Sequence, residues 1–313
     1  MFGRLNTSAE KSEDTNTPAA GLLSTLYDCL NNTFLDVRFG PCNSSEKAFA
    51  KEHIEYYRNN YNQKAIFTFD RGYPSIRLIT QLIEAGQYFL FRLPSKCFSQ
   101  YTDQLEIGED KYFDVTFDRK TTNDYRQDTK FRQYLMNTTF HLRFTKAVIG
   151  IDKNGEPIVE ILLSNLPMEA FSCEDLIELY HYRWNIETSY NRLKNRMNLE
   201  TFSGYKPILI YQDIYADIWM YNMVSLKIIY INERHPLEED SEYVVSRNFN
   251  KVVGSMKMNF IKALVMMNQG TLNTAMEMIN DTIIKNITKA KKNRKYPINR
   301  TTSPSSMSYK KTY

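Results

Sequence analysis

Residues 65–93 read AIFTFDRGYPSIRLITQLIEAGQYFLFRL. Ala65 to Phe69 form a short, almost wholly apolar run, as expected of a strand buried on both faces, and it stops abruptly at Asp70-Arg71-Gly72-Tyr73. Beyond Pro74-Ser75, IRLITQLIEAG reads as a helix closed by Gly86, and Tyr88 to Leu93 give a second buried strand. Strand, helix and strand at this spacing imply a parallel pair, and hence an α/β fold. An acid closing a buried strand lies at its carboxyl end, where open α/β sheets place their sites. Asp70 is therefore the first candidate functional residue, against the plainer reading of an Asx turn ahead of a glycine.

Upstream, LLSTLYDCL from Leu22 and FLDVRF from Phe34 read as strands joined by a hairpin turn at Asn31-Asn32-Thr33. Ser44-Ser45-Glu46-Lys47 then offers an N-cap for a helix running towards Tyr57. Residues up to about Pro18 are polar and read as a loop. Downstream, KYFDVTF from Lys111 and HLRFTKAVIGI from His141 alternate as strands, the latter joined by Asp152-Lys153-Asn154-Gly155 to PIVEILLSNL. This stretch has the texture of a separate antiparallel insertion. Ser172 caps a long helix over 174–198, with Glu174 and Asp175 favourable in its first turn, and further helices are expected over 209–232 and 259–287.

The chain has 313 residues, 42% of them hydrophobic, enough for one large domain or two modest ones with a real core. A net charge of +4 permits a polyanionic partner without requiring one. Nine Lys and Arg residues follow Asp281 with no acid among them, so the basic excess sits in the tail. Such a tail can track phosphates or serve as a solvated end. Cys29, Cys42, Cys97 and Cys173 lack the short paired spacing of a zinc site or redox couple. No apolar run approaches a membrane span, and the opening residues do not form a signal peptide, so a cytoplasmic protein is expected.

On the expected long helix, Tyr180, Arg183, Glu187 and Lys194 are spaced by three, four and seven residues. That spacing puts them on one face, while Leu176, Leu179, Ile186, Leu193 and Met197 turn to the core. Such a face is either a solvated salt-bridge lattice or a carboxylate flanked by phosphate-binding cations.

The stretch YHYRWNIETSYNRLK resembles the Tyr-x2-Arg-x3-Glu-x6-Lys signature of bacterial insertion-sequence DDE transposases, with every spacer intact. FDRGYPS around Asp70 is similar to the family's second aspartate motif, LLSNLP near Leu162 to its strand exit, and YQDIYADIWMYNM from Tyr211 to the following helix. The resemblance covers nearly all of residues 20–232. It implies an RNase H-like mixed sheet flanked by helices, with an antiparallel β insertion and a helical C-terminal part. The implied organisation is a loop or disordered leader at 1–18, a core in two halves at 19–94 and 168–232, an insertion at 95–167, a helical region at 233–288 and a disordered basic tail at 289–313.

The resemblance also implies a reaction, metal-dependent DNA cleavage and strand transfer, in which three acids hold two Mg²⁺ or Mn²⁺ ions. Asp70 and Glu187 would be two of those catalytic ligands. Arg71, Tyr180, Arg183 and Lys194 would line the DNA, and Gly72 would relieve backbone crowding. The implied partners are transposon-end and target duplexes and a second copy of the chain, in a nucleoid-associated cytoplasmic setting. Against the pattern, no Asp-Gly-Ser precedes Asp70; Asp14, Asp28 and Asp36 are the only earlier aspartates, and Asp28 is the available substitute. An N-terminally truncated transposase is therefore expected. Three readings stand: an active enzyme, an inactive DNA-binding or dimerising remnant that inhibits the full-length enzyme, and an unrelated α/β protein.

Overall fold

Asp28 closes the first hairpin. Its Oδ1 accepts the amides of Leu30 and Asn31 and its Oδ2 the side-chain amide of Asn31, while Asn32 adopts a left-handed φ of 53° that asparagine tolerates. The strands so joined, β1 (Gly21–Asp28) and β2 (Thr33–Pro41), pair antiparallel as a two-stranded sheet of their own. The structure is a computed structural model that describes residues 21–41, 43–94, 96–151, 154–204 and 206–292. The expected leader, and the tail beyond residue 292, lie outside the described residues.

Ser45 caps α1 (Glu46–Asn60) by accepting the Ala48 amide. β3 (Ile66–Phe69) then passes through α2 (Ile76–Glu84), capped by Ser75, into β4 (Tyr88–Arg92), and β3 and β4 are parallel as expected. Gly86, with φ 66°, makes the turn between helix and strand that a side chain would strain. Next come α3 (Ser99–Thr102), β5 (Asp110–Val115), α4 (Thr129–Asn137), β6 (Phe140–Ile151) and β7 (Pro157–Ser164). The antiparallel insertion continues the sheet: β7 pairs with β4, giving the order β3-β4-β7-β6-β5. One expectation fails here. β3 is an edge strand, hydrogen-bonded among the described residues only to β4, and only Phe67 in it is fully buried.

The helix expected over 174–198 is two helices, α5 (Cys173–Tyr182) and α6 (Trp184–Arg196). Arg183 lies between them, its amide bonding the Tyr180 carbonyl in a tightened turn. α7 (Pro207–Arg234) starts with proline at its first position, where the missing N–H costs nothing. β8 (Tyr243–Arg247), α8 (Phe249–Ser255), a π-helical turn at Met256–Phe260, α9 (Ile261–Met266), α10 (Gln269–Lys285) and β9 (Ile287–Lys291) complete the described chain. The helix expected over 259–287 is broken where Met267 turns left-handed, at φ 47°, and Asn268 caps α10 through the Thr271 amide.

These elements form two compact units, one of Ser45–Trp184 and one of the described residues up to Ser44 and from Asn185 onward. The first packs α5 on the sheet through Leu90, Leu162, Leu166, Leu176 and Tyr180. Its sheet also buries Arg143, whose guanidinium is taken by Asp110 and the Leu166 carbonyl. The second packs the β1–β2 hairpin, α6, α7 and the C-terminal helices around Phe34, Leu193, Ile214, Tyr221 and Val252. A mixed sheet flanked by helices, an antiparallel insertion and a helical C-terminal part make up the α/β class that the sequence implies.

Candidate functional site

The end of β3 organises the site. The Asp70 carbonyl accepts the Tyr73 amide at 3.0 Å and its Oδ1 accepts the Arg71 amide at 2.8 Å, which turns the chain and fixes the carboxylate at the strand's carboxyl end. The side chain is 44% exposed. Tyr180, buried on α5, reaches it from the core: its hydroxyl donates to Oδ1 at 3.1 Å. Register supplies a second neighbour. Phe69 pairs with Phe91, so Arg92 follows beside Asp70, with Nη1 3.6 Å from Oδ1. Arg183, at the break between α5 and α6, brings Nη1 to 3.9 Å from Oδ2.

A second acid lies behind these cations. Glu160 projects from β7 with its side chain only 3% exposed, and it binds Arg71 Nη2 through both oxygens, at 2.5 and 2.6 Å, and Arg92 Nη2 through Oε1. Burial pushes the Glu160 carboxyl up, but hydrogen bonds from Arg92 and Arg71 outweigh it and hold the group below its ordinary range. Asp70 follows the same pattern. Partial burial raises it, and the Arg71 amide, the Arg183 charge, the Tyr180 hydroxyl and the Arg92 charge together bring it below the usual carboxylate value. The Glu160 hydrogen bond raises Arg92, and burial raises the Tyr180 phenol. Both acids are therefore ionised at neutral pH, facing three guanidiniums.

Of the residues singled out from the sequence, Asp70, Arg71, Tyr180 and Arg183 come together in the unit of Ser45–Trp184. Glu187 and Lys194 belong to the other unit. There α6 is fastened to the hairpin: Ser189 meets the Tyr27 hydroxyl, Tyr190 meets Thr25 at 2.8 Å, and Asn185 donates to the Cys29 carbonyl at 3.0 Å. Glu187 is exposed on that helix, and Lys194 pairs with Glu200 at 2.8 Å. Asp28, the substitute acid, serves the hairpin turn with both oxygens. Gly72 relieves no crowding, since a Cβ there would meet nothing within 4 Å.

Arg92 and Glu160 lie outside the residues that the sequence motifs single out. The parallel register next to Asp70 carries the signal for Arg92. A lone acid inside the apolar run PIVEILLS carries that for Glu160, because a charge in a buried strand needs a partner. A divalent cation of the Mg²⁺ type takes oxygen ligands, carboxylates foremost. Among the described residues no three His, Cys, Asp or Glu side chains gather to hold one. In its own unit Asp70 is surrounded by guanidiniums, and Glu160 is committed to two of them. That donor set does not fit a divalent cation.

Residues 8–223 match the family model described as transposase DDE domain, more than half of the chain. The chain belongs to the transposase DDE domain family. With the family comes its RNase H-like fold, and the mixed five-stranded sheet agrees with it. This DDE-family chain is 25% identical over 197 residues to the transposase InsG for insertion sequence element IS4 of Escherichia coli strain K12, a match covering 62% of the chain and 41% of that relative. It is 33% identical over 58 residues to the transposase for insertion sequence element IS421 of Escherichia coli, covering 18% of the chain and 16% of that relative. The chain thus spans less than half the length of either. Among solved structures, a piggyBac transposase synaptic complex with hairpin DNA overlaps 83% of this chain and 51% of its own, with a TM-score of 0.44 and 11% identity.

Proposed function

We propose that this chain carries catalytic-domain residues of an insertion-sequence DDE transposase, which cleaves DNA at transposon ends and joins it to a target duplex. One observation supports this reading above the others. Tyr180 and Arg183, from one motif, meet Asp70, from a motif 110 residues earlier in the case of Tyr180, in a cluster open to solvent. In this reading Asp70 and Glu187 are the catalytic acids. Arg71, Arg183 and Lys194 neutralise backbone phosphates, and Tyr180 fixes the orientation of Asp70. The family's chemistry calls on two Mg²⁺ or Mn²⁺ ions, but no step is assigned to a cation, because the groups around Asp70 in its unit do not fit one. Joining paired ends calls for at least two copies of the chain, acting in the cytoplasm on the nucleoid.

A second reading is a chain that binds DNA or dimerises without cutting and so inhibits the full-length enzyme. The cationic surroundings of Asp70 favour it. Incubating the full chain with Mn²⁺ and supercoiled plasmid, with Glu187→Ala as control, separates the two. Nicking and joining that vanish on substitution support the enzyme; nicking that survives in Glu187→Ala refutes the assigned acid. Binding without nicking selects the second reading.

A further inference from the structure

α7 is apolar on two opposite faces. One carries Ile214, Ile218, Tyr221, Val224 and Ile231, all buried in the core of its unit. The other carries Ile208, Tyr211, Tyr215, Trp219, Leu226 and Tyr230, each 36–61% exposed. At helical spacing these six fall in a single stripe about 100° wide that runs about 33 Å along the helix. Glu233, at the far end, is the one charged residue of α7 that the stripe meets. A surface helix carries its charges on the side that faces water, whereas a helix apolar all round is covered on all sides. The membrane does not supply that cover by being spanned, because no helix of the described residues is long and apolar enough to cross one. The stripe is also held in place. Tyr211 sets its ring edge-on to Phe39 of β2 and donates to the Phe39 carbonyl at 3.2 Å, and Trp219 stacks on Phe260.

We infer that this stripe is the contact between two copies of the chain, which pair their α7 helices antiparallel about a twofold axis at Trp219. Its size suits a dimer. Six large side chains, each about half exposed, offer on the order of 600 Å² per copy if a whole side chain carries roughly 200 Å². Leu264, one turn beyond Phe260 and also exposed, adds to it. That area approaches the roughly 800 Å² per partner of a stable interface. The stripe is also complementary to itself. Reversed about Trp219, Ile208 faces Tyr230 of the second copy, and Leu226 lies between Tyr211 and Tyr215 of the second copy, so aliphatic meets aromatic. The ends match in charge, because the same register sets Lys206, the N-cap of α7, beside Glu233 of the second copy, twice by symmetry. DNA is a poor occupant, since the stripe holds no cation to meet a phosphate. The inference rests on the reading that copies of the chain act together, and the pairing it describes needs no DNA.

The test is sedimentation equilibrium of the full chain without DNA, across the micromolar range, where a monomer–dimer equilibrium that stops at two copies is expected. Leu226→Glu sets a charge between aromatic rings in each half of the contact and raises the dissociation constant about thirtyfold or more. Its circular dichroism melt reports whether the unit still folds, and where it does not, the following pair of variants decides alone. Lys206→Glu sets two acids face to face and weakens pairing about threefold, and adding Glu233→Lys restores it. Within one chain these two residues stand about 40 Å apart along α7, so the rescue comes only from a second copy in this register. A wild-type chain that stays monomeric or assembles beyond two overturns the assignment. So does a dimer that a folded Leu226→Glu leaves intact, or a charge reversal that the second substitution fails to rescue. The nicking assay is read separately. A monomer that nicks keeps the transposase reading and overturns the pairing, and a dimer that Leu226→Glu dissociates but that never nicks does the reverse.

Discussion

The hydroxyl of Tyr180 donates to Oδ1 of Asp70 across 3.1 Å, from a phenol that is itself buried in the core beneath α5. It is one of several groups that stabilise the ionised carboxylate. Tyr180→Phe keeps the ring and removes that donor, so the Asp70 carboxyl titrates at higher pH than in the wild type. The stability cost stays near that of one hydrogen bond, about 1 kcal/mol. Carboxyl-carbon NMR titration reads the shift, and an Asp70 titration identical in both proteins would show that the hydroxyl contributes nothing.

Acid should weaken this unit through the same cluster. Asp70 and Glu160 are both held below their ordinary range in the folded chain. Such groups contribute stability above their unfolded values, about 3.9 for Asp and 4.3 for Glu, and lose it as pH falls through the folded values. The urea midpoint is therefore expected to be insensitive to these two acids near neutrality and to drop below about pH 4. Glu160→Gln should start from a lower midpoint and show a shallower acid decline. A decline of unchanged steepness in that variant would remove Glu160 from the account.

Much of this was legible in the sequence because the signals were local. Ser45, Ser75 and Ser172 each cap the helix they precede, and Gly86 marks the turn into β4. The meeting of Asp70 with Tyr180 and Arg183 follows from the two motifs that the sequence singles out. What escaped depended on long-range pairing. Glu160 reaches Arg71 and Arg92 only because β7 lies beside β4, a strand pairing that no spacing reveals. The break at Arg183 hid inside uninterrupted helical periodicity. β8 and β9 pair across the intervening helices α8 to α10, and Asn268 caps α10 where the sequence reads as one continuous helix.

Arg143 should be the costliest charge to strand. It is 1% exposed, and Asp110 takes its Nε and Nη2 while the Leu166 carbonyl takes Nη1. Asp110→Ala leaves a guanidinium in the sheet with one weak acceptor, for a loss of about 3–5 kcal/mol. Replacing both residues with apolar side chains of similar volume should recover most of that loss, since the desolvation penalty goes with the pair. Urea denaturation of the two variants checks the order. A double variant no more stable than Asp110→Ala would mean that the pair itself, and not the unpaired charge, sets the cost.

The hydroxyl of Ser189 decides how firmly α6 holds to the hairpin. Its Oγ lies 2.5 Å from the Tyr27 hydroxyl, 2.7 Å from the Tyr221 hydroxyl and 2.8 Å from the Asn185 carbonyl, all in a buried setting. Tyr27 retains Asn32 as an acceptor at 3.0 Å, so Ser189→Ala does not orphan it entirely, and a loss of about 1–2 kcal/mol is expected. Tyr27→Phe should cost less, because Ser189 and Tyr221 still satisfy one another. The double variant should fall short of the sum of the two, since all three groups share one network. Glu187 rides on the same helix, two residues before Ser189. Faster amide exchange across 185–193 in Ser189→Ala, with exchange in the Ser45–Trp184 unit unaltered, would tie the anchoring to this hydroxyl; uniform loosening of both units would refer the effect to general destabilisation instead.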